Sequence, residues 1–216
     1  MKREHTTEKY YIDWLKSIGC VNYLPLLTNN TDLISGETAT IRGNVGSYDQ
    51  TKGLDFIGNG GLLLPNTLFS WMGYNQSFTA LIDMCITTSS GYGKIFYWNF
   101  YGHQSNREKG LSHNYGYRQP YAHIDNGNWE NSVYPGTVNY DQQYVKCGLV
   151  YYGDTHKFSV IMDGVIQNVW NTATGWNDAD KYCYIGKGYS NDPFKGYLKN
   201  FMVFNRSLSQ SEIDLI

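Results

Sequence analysis

The chemistry this sequence can offer rests on seven side chains. Tyr97, Asn99 and Tyr101 alternate along one run, Tyr117, Tyr121 and Trp129 fall in the long polar segment Gly102–Gln143, and Trp176 lies in the loop Thr172–Asp180. Tyr and Trp rings present flat apolar area beside a hydrogen-bonding group. A sugar site needs that combination: an aromatic platform under the pyranose face and a few fixed polar groups around it. Positions 97, 99 and 101 are two apart, so a strand places all three on one face. The predicted chemistry is recognition of a glycan. A protein–protein interface uses the same rings, and the sequence leaves that alternative open.

Catalysis is not expected. A retaining glycosidase needs two carboxyl groups about 5 Å apart. The chain has six Glu (Glu4, Glu8, Glu37, Glu108, Glu130 and Glu212), and no two lie close enough on one strand to form that arrangement. Asp125 and Glu130 read as solvated loop charges. There is no Gly-x-Ser-x-Gly elbow. Gly91-Tyr92-Gly93-Lys94 lacks the upstream glycine of a phosphate loop and has Ile95 where Ser or Thr is needed, so it reads as a hairpin turn. His103, His113 and His123 are ten apart, which is no ligand spacing, and read as surface histidines.

Composition narrows the partners. With 17 basic and 19 acidic residues, the chain has no cationic excess for nucleic acid or an anionic membrane. No apolar run is long enough to insert in a bilayer. The start, Met1-Lys2-Arg3-Glu4, has no apolar core behind it and does not read as a secretory signal. Among the 216 residues, 20 Tyr and 23 Gly favour strands joined by tight turns. Cys20, Cys85, Cys147 and Cys183 form no Cys-x-x-Cys pair. They read as buried free thiols, with a Cys85–Cys147 bridge as the alternative in an oxidising compartment.

The pattern predicts a short helix from Thr6 or Thr7 to about Ile18. Tyr11, Trp14, Leu15 and Ile18 share a face, and Gly19 ends it. The expectation is a helix packed at the edge of the remaining structure, with docking to a partner as the alternative. Strands follow over 21–27, 38–41, 53–57, 61–64, 78–87, 94–101, 144–152, 157–163, 165–170, 181–185 and 197–204, with two more inside the long segment at 110–118 and 121–126. Met162-Asp163-Gly164-Val165 is a hairpin turn. Alternation puts Phe96, Trp98 and Phe100 inward and Tyr97, Asn99 and Tyr101 toward solvent. Ala80, Ile82, Met84 and Ile86 point inward, as do Phe158, Val160 and Met162. Ser207 is expected to cap a last helical turn, over Ser209–Ile213, with Ser209 and Glu212 spaced as a capping box.

The closing stretch is the most specific. Tyr184-Ile185-Gly186 ends one strand, Phe194-Lys195-Gly196 opens the last, and Asn205-Arg206-Ser207-Leu208-Ser209-Gln210-Ser211-Glu212-Ile213 follows. This word order resembles laminin-G-like (concanavalin A-like) jelly-roll modules, as do the early strand 21–27 with its Asp32-x-x-x-Gly36 loop and the Asp163-Gly164 hairpin. The resemblance implies an all-β, antiparallel two-sheet jelly-roll sandwich over residues 21–216, with residues 1–20 as an N-terminal helical extension. It implies a non-enzymatic binding or adhesion module requiring no cofactor. Many such modules hold calcium at a loop rim. Asp32 is the matching candidate here, although Lys199 stands where the family often has Asp, and Asp32 reads equally as a turn residue bonding its own backbone. Such modules work outside cells. With no signal in the chain, the expected location is extracellular or a virion, such as a phage decoration, fibre or tail protein, with the helix meeting virion neighbours or a homo-oligomer.

Overall fold

The computed structural model describes residues 2–73, 75–88, 92–100, 108–114, 119–124, 143–171, 181–187 and 193–216. The chain runs α1 (Lys2–Ser17), β1 (Cys20–Leu24), β2 (Thr40–Asn44), β3 (Tyr48–Asp49), β4 (Gly53–Ile57), β5 (Asn59–Leu64), a 3-10 turn (Asn66–Phe69), β6 (Phe78–Ile86), β7 (Tyr92–Phe100), β8 (Glu108–Asn114), β9 (Gln119–Ile124), β10 (Val145–Tyr152), β11 (Lys157–Met162), β12 (Val165–Asn171), β13 (Lys181–Ile185), β14 (Lys195–Phe204) and α2 (Gln210–Ile213). Among the described residues the strands form two antiparallel sheets. One has the order β12-β11-β10-β6-β14-β4-β3 with β1 beside β14, and the other has the order β2-β5-β13-β7-β8-β9.

β14 organises the larger sheet. Its first half pairs with β4, its second half with β1, and its other edge with β6. The change of partner falls at a bulge, where Asn200 adopts a left-handed φ of 54°. Its N–H donates to the Pro25 carbonyl at 3.0 Å. Bulges break a ladder in this way and re-aim a side chain.

The inward sets meet between the sheets. Ala80, Ile82, Met84, Phe158, Val160, Met162, Phe96 and Trp98 all belong to one buried cluster. Trp98 is its centre, with the rings of Phe69, Phe78 and Phe96 at centroid distances of 5.9, 5.3 and 5.5 Å. The outer face of the larger sheet is also covered. Leu81, Val150, Ile161, Met202 and Phe204 form a second cluster with Leu15 of α1 and with Leu208 and Ile213 of the tail. Thus α1 is a third layer on a sheet face and not a strip along the sandwich edge. Its apolar side is used internally, each fully buried Leu or Ile contributing about 1.5–3 kcal/mol.

Turn chemistry follows the sequence. Asp163 and Gly164 have φ of 50° and 74°, the mirror-image turn that matches strand twist. At the tail the cap is Ser209, not Ser207, because the Glu212 carboxylate accepts both the Ser209 N–H and its hydroxyl at 2.9 Å. Arg206 forks onto Glu212 at 3.0 and 2.6 Å, and its Nε donates to the Ile18 carbonyl at 2.8 Å. The Asn-Arg-x-Leu-Ser-x-x-Glu-Ile word is therefore a latch between the tail and the end of α1.

The Arg206 fork, with help from the Ser209 N–H, holds the Glu212 carboxyl at about 2, below its ordinary 4.5. A depressed folded value stabilises above the unfolded one and is lost as pH falls through the folded one. The two side chains are 38% and 30% exposed, so solvent screening keeps the gain small. Glu212→Gln is expected to cost about 1 kcal/mol at neutral pH. The deficit should fade between about 4.5 and 2. Urea titrations of both proteins across that range test this, and a deficit independent of pH contradicts it.

All four thiols are free and buried. Cys147 lies in the inter-sheet cluster, whereas Cys85 sits between inward Met84 and Ile86 and faces the other way. That placement excludes the Cys85–Cys147 bridge. Burial pushes Cys20 up to about 12 and also raises Cys147 and Cys183, so these thiols stay protonated at neutral pH.

Candidate functional site

The smaller sheet carries three of the seven positions with which the sequence opened, Tyr97, Asn99 and Tyr121. In β7, Phe96 and Trp98 point into the core, so Tyr97 stands on the outer face. Tyr97 lies directly between Tyr184 of β13 and Gly110 of β8, and the next row places Asn99 between Tyr182 and Glu108. β9 continues the face, with His123 across from Gly110 and Tyr121 across from Ser112. The rings of Tyr97 and Tyr184 are parallel, 5.0 Å apart and 7° from coplanar. A Cβ on Gly110 would lie 2.4 Å from the Tyr97 Cα, so only glycine lets β8 sit this close.

One expectation is corrected. Tyr97 faces outward, yet only 1% of it is exposed, so it does not meet solvent as alternation predicted. Tyr182 and Tyr184 are half-buried and are the accessible rings of this group. Sequence reasoning passed over both, although they alternate with inward Cys183 and Ile185 at the same period as 97 and 99. Asn99 and Tyr121 are placed on this face by backbone register alone. Tyr101, Tyr117, Trp129 and Trp176 lie outside the described residues.

Asp32 is wholly buried, and its carboxylate is occupied by amide donors. Oδ1 accepts the N–H of Tyr23 at 3.0 Å and of Ile34 at 2.8 Å, and Oδ2 accepts Asn22 Nδ2 at 2.7 Å. The Asp32 carbonyl accepts the Gly36 N–H at 2.8 Å, closing the turn. These donors give Asp32 its turn role, and the donor set does not fit calcium, which needs converging oxygens. Among the described residues no three His, Cys, Asp or Glu side chains converge on one point. Lys199 donates to the Thr51 carbonyl at 2.9 Å and lies 4.0 Å over the Tyr144 ring. No described helix is long and apolar enough to cross a membrane.

Two face-to-face antiparallel sheets in this order, with an aromatic outer face, define a lectin-type jelly-roll sandwich. Residues 56–214 match the concanavalin A-like lectin/glucanases superfamily, and the chain belongs to it. No curated protein matches the sequence. Among solved structures, domain 4 of AbnA, an extracellular arabinanase from Geobacillus stearothermophilus solved with arabinotriose, is similar over 90% of this chain and 96% of that one, at 15% identity and a TM-score of 0.70. A Trypanosoma rangeli sialidase is similar over 90% of this chain and 32% of its own, at 20% identity and a TM-score of 0.68. A structure of botulinum neurotoxin type C, whose cell entry depends on two ganglioside molecules, is similar over 93% of this chain and 51% of that one, at 12% identity and a TM-score of 0.63. This chain thus spans about a third of the sialidase and half of the toxin chain. At such identities the likeness establishes the fold.

Proposed function

We propose that the chain is a non-enzymatic carbohydrate-binding module that serves adhesion at an extracellular or virion surface. The observation that carries this reading is the outer face of the smaller sheet, where the Tyr97–Tyr184 stack is bordered by Tyr182 and by the Asn99 and Tyr121 positions. Tyr97 is the buried backing ring, and Tyr184 is the platform. Rigid stacking fixes the platform before ligand arrives, which limits the ordering cost of binding. The solved neighbours include a domain bound to arabinotriose and a toxin that interacts with gangliosides, which supports a glycan as the ligand class. The absence of paired Glu along any strand of the sequence supports binding without hydrolysis.

A broad glycan array, run with and without calcium, tests the proposal. Specific binding is expected, unchanged by chelator because Asp32 is engaged by amides. Tyr184→Ala is expected to weaken it at least tenfold, about 1.4 kcal/mol, with the circular dichroism spectrum preserved. Folded protein giving a blank array overturns the proposal and shifts the aromatic face to a protein–protein role, read out as oligomer formation.

A further inference from the structure

The outer face of the larger sheet is covered by α1 and the tail over only part of its area. Over β4, β14 and β6 it carries an open groove of about 370 Å³. Pairing builds the groove from distant parts of the chain. Asp55 lies directly across from Tyr197, and Ile57 from Lys195. The Lys195 carbonyl accepts the Thr87 N–H at 3.4 Å, and Thr88 completes the far wall.

Two features separate this groove from ordinary surface relief. The first is Asp55. Its backbone is engaged, donating to the Ser47 carbonyl at 3.1 Å and accepting the Gly46 N–H at 2.8 Å. Its carboxylate accepts no hydrogen bond from any described residue, although the side chain is half-buried. Desolvation raises its pKa against the opposing pull of Lys52. Gly46 makes room for it, since a Cβ there would lie 2.8 Å from the carboxylate oxygen. The acceptor sites of this carboxylate open on the groove, so a ligand hydroxyl can take the place of solvent there.

The second feature is the Tyr197 ring. Lys52 Nζ lies 5.5 Å over it from the turn before β4, and the groove runs the other way along the strands, toward Lys195 and Thr87. A ring beside a lone carboxylate, with two threonines on the opposite wall, supplies both the apolar and the polar partners a pyranose needs. The lysines disfavour a bound cation, and Asp55 disfavours an acidic peptide.

We infer that this groove is a second carbohydrate subsite, taking a terminal hexopyranose with Tyr197 against its apolar face and Asp55 accepting hydrogen bonds from two neighbouring hydroxyls. The inference rests on the glycan-binding reading above. The two subsites lie on opposite outer faces of the sandwich, so one molecule can engage two glycan chains and gain avidity without new contacts.

The test is an NMR titration of the ¹⁵N-labelled full chain with the methyl glycosides of glucose, galactose, mannose and N-acetylglucosamine. One of them is expected to shift the amides of Asp55, Thr87 and Tyr197 saturably. Asp55→Asn, which keeps the shape, should weaken that response at least tenfold and leave any response at Tyr184 unchanged, while Tyr184→Ala should do the reverse. Shifts confined to Tyr182 and Tyr184 overturn the second subsite and leave the first. A response at Asp55 that survives Asp55→Asn unaltered also overturns it. No shift at either face, joined to a blank array, overturns the glycan reading itself.

Discussion

Alanine at Gly186 is expected to cost about 2–5 kcal/mol, a large part of the roughly 5–15 kcal/mol that holds a domain of this kind together. Two independent causes add. Gly186 has a φ of 78°, a conformation that costs an L-residue about 1–2 kcal/mol. A Cβ there would also lie 2.0 Å from Cε1 and 2.1 Å from Cδ1 of Phe56. That ring is buried and packs edge-on against Phe194 at 6.3 Å, so it cannot swing clear without moving a second ring. Overpacking of this kind adds about 1–3 kcal/mol. Gly164→Ala is the internal control. Its φ of 74° is nearly the same, but nothing lies within 4 Å of the added Cβ. Urea unfolding of both variants separates strain from collision. Equal losses would refute the collision with Phe56.

The same glycine shows what the sequence revealed and what it withheld. Ile185-Gly186 was readable as part of a family word, but its cause was not. The Gly186 N–H donates to the Ile95 carbonyl at 2.8 Å, and its own carbonyl accepts the Phe194 N–H at 2.7 Å. The strand end is thereby fixed at the one point where Phe56 leaves no space. Period-two patterning located β4 and β13 to the residue, because each is bounded by turn formers. It missed β3 and the 3-10 turn Asn66–Phe69, which are too short to show a period. The inward sets were correct at every described side chain, and the side chain of Phe100 lies outside these. The residues that alternate with the inward sets in β6 and β11 do not meet water: Leu81 and Ile161 are buried under α1 and the tail, and Ser159 is buried as well. Their nearly continuous apolar runs carried that information, since a strand covered on both faces loses its alternation.

The candidate site was legible to a similar depth. Alternation put Tyr97 on the correct face, but the burial of its ring depends on packing that spacing does not encode. Tyr182 and Tyr184 have the same period, but in a five-residue strand spacing alone does not show which rings stay accessible. The Asp55–Tyr197 groove was not legible at all. It exists only because β14, near the chain's end, pairs with β4, near its start.

Truncating Trp98 to alanine is expected to be as damaging to stability as Gly186→Ala and more revealing about function. Trp98 is fully buried at the meeting point of Phe69, Phe78 and Phe96. Removing an indole from such a site costs about 3–5 kcal/mol, because the lost transfer energy is joined by a void that the neighbouring rings cannot fill. The functional consequence follows from position. Trp98 is the residue after Tyr97 on β7, and its backbone pairs with Cys183 on one side and Lys109 on the other. A void behind this strand loosens the support under the Tyr97–Tyr184 stack, which is the rigid part of the proposed platform. Trp98→Phe keeps a ring in the cluster and is expected to lose less stability than Trp98→Ala. Both variants are expected to weaken glycan binding in the order of their stability loss, measured well below their unfolding midpoints. Full glycan affinity in a folded Trp98→Ala protein would show that the platform does not depend on the core beneath it, and would move the binding site away from β7 and β13.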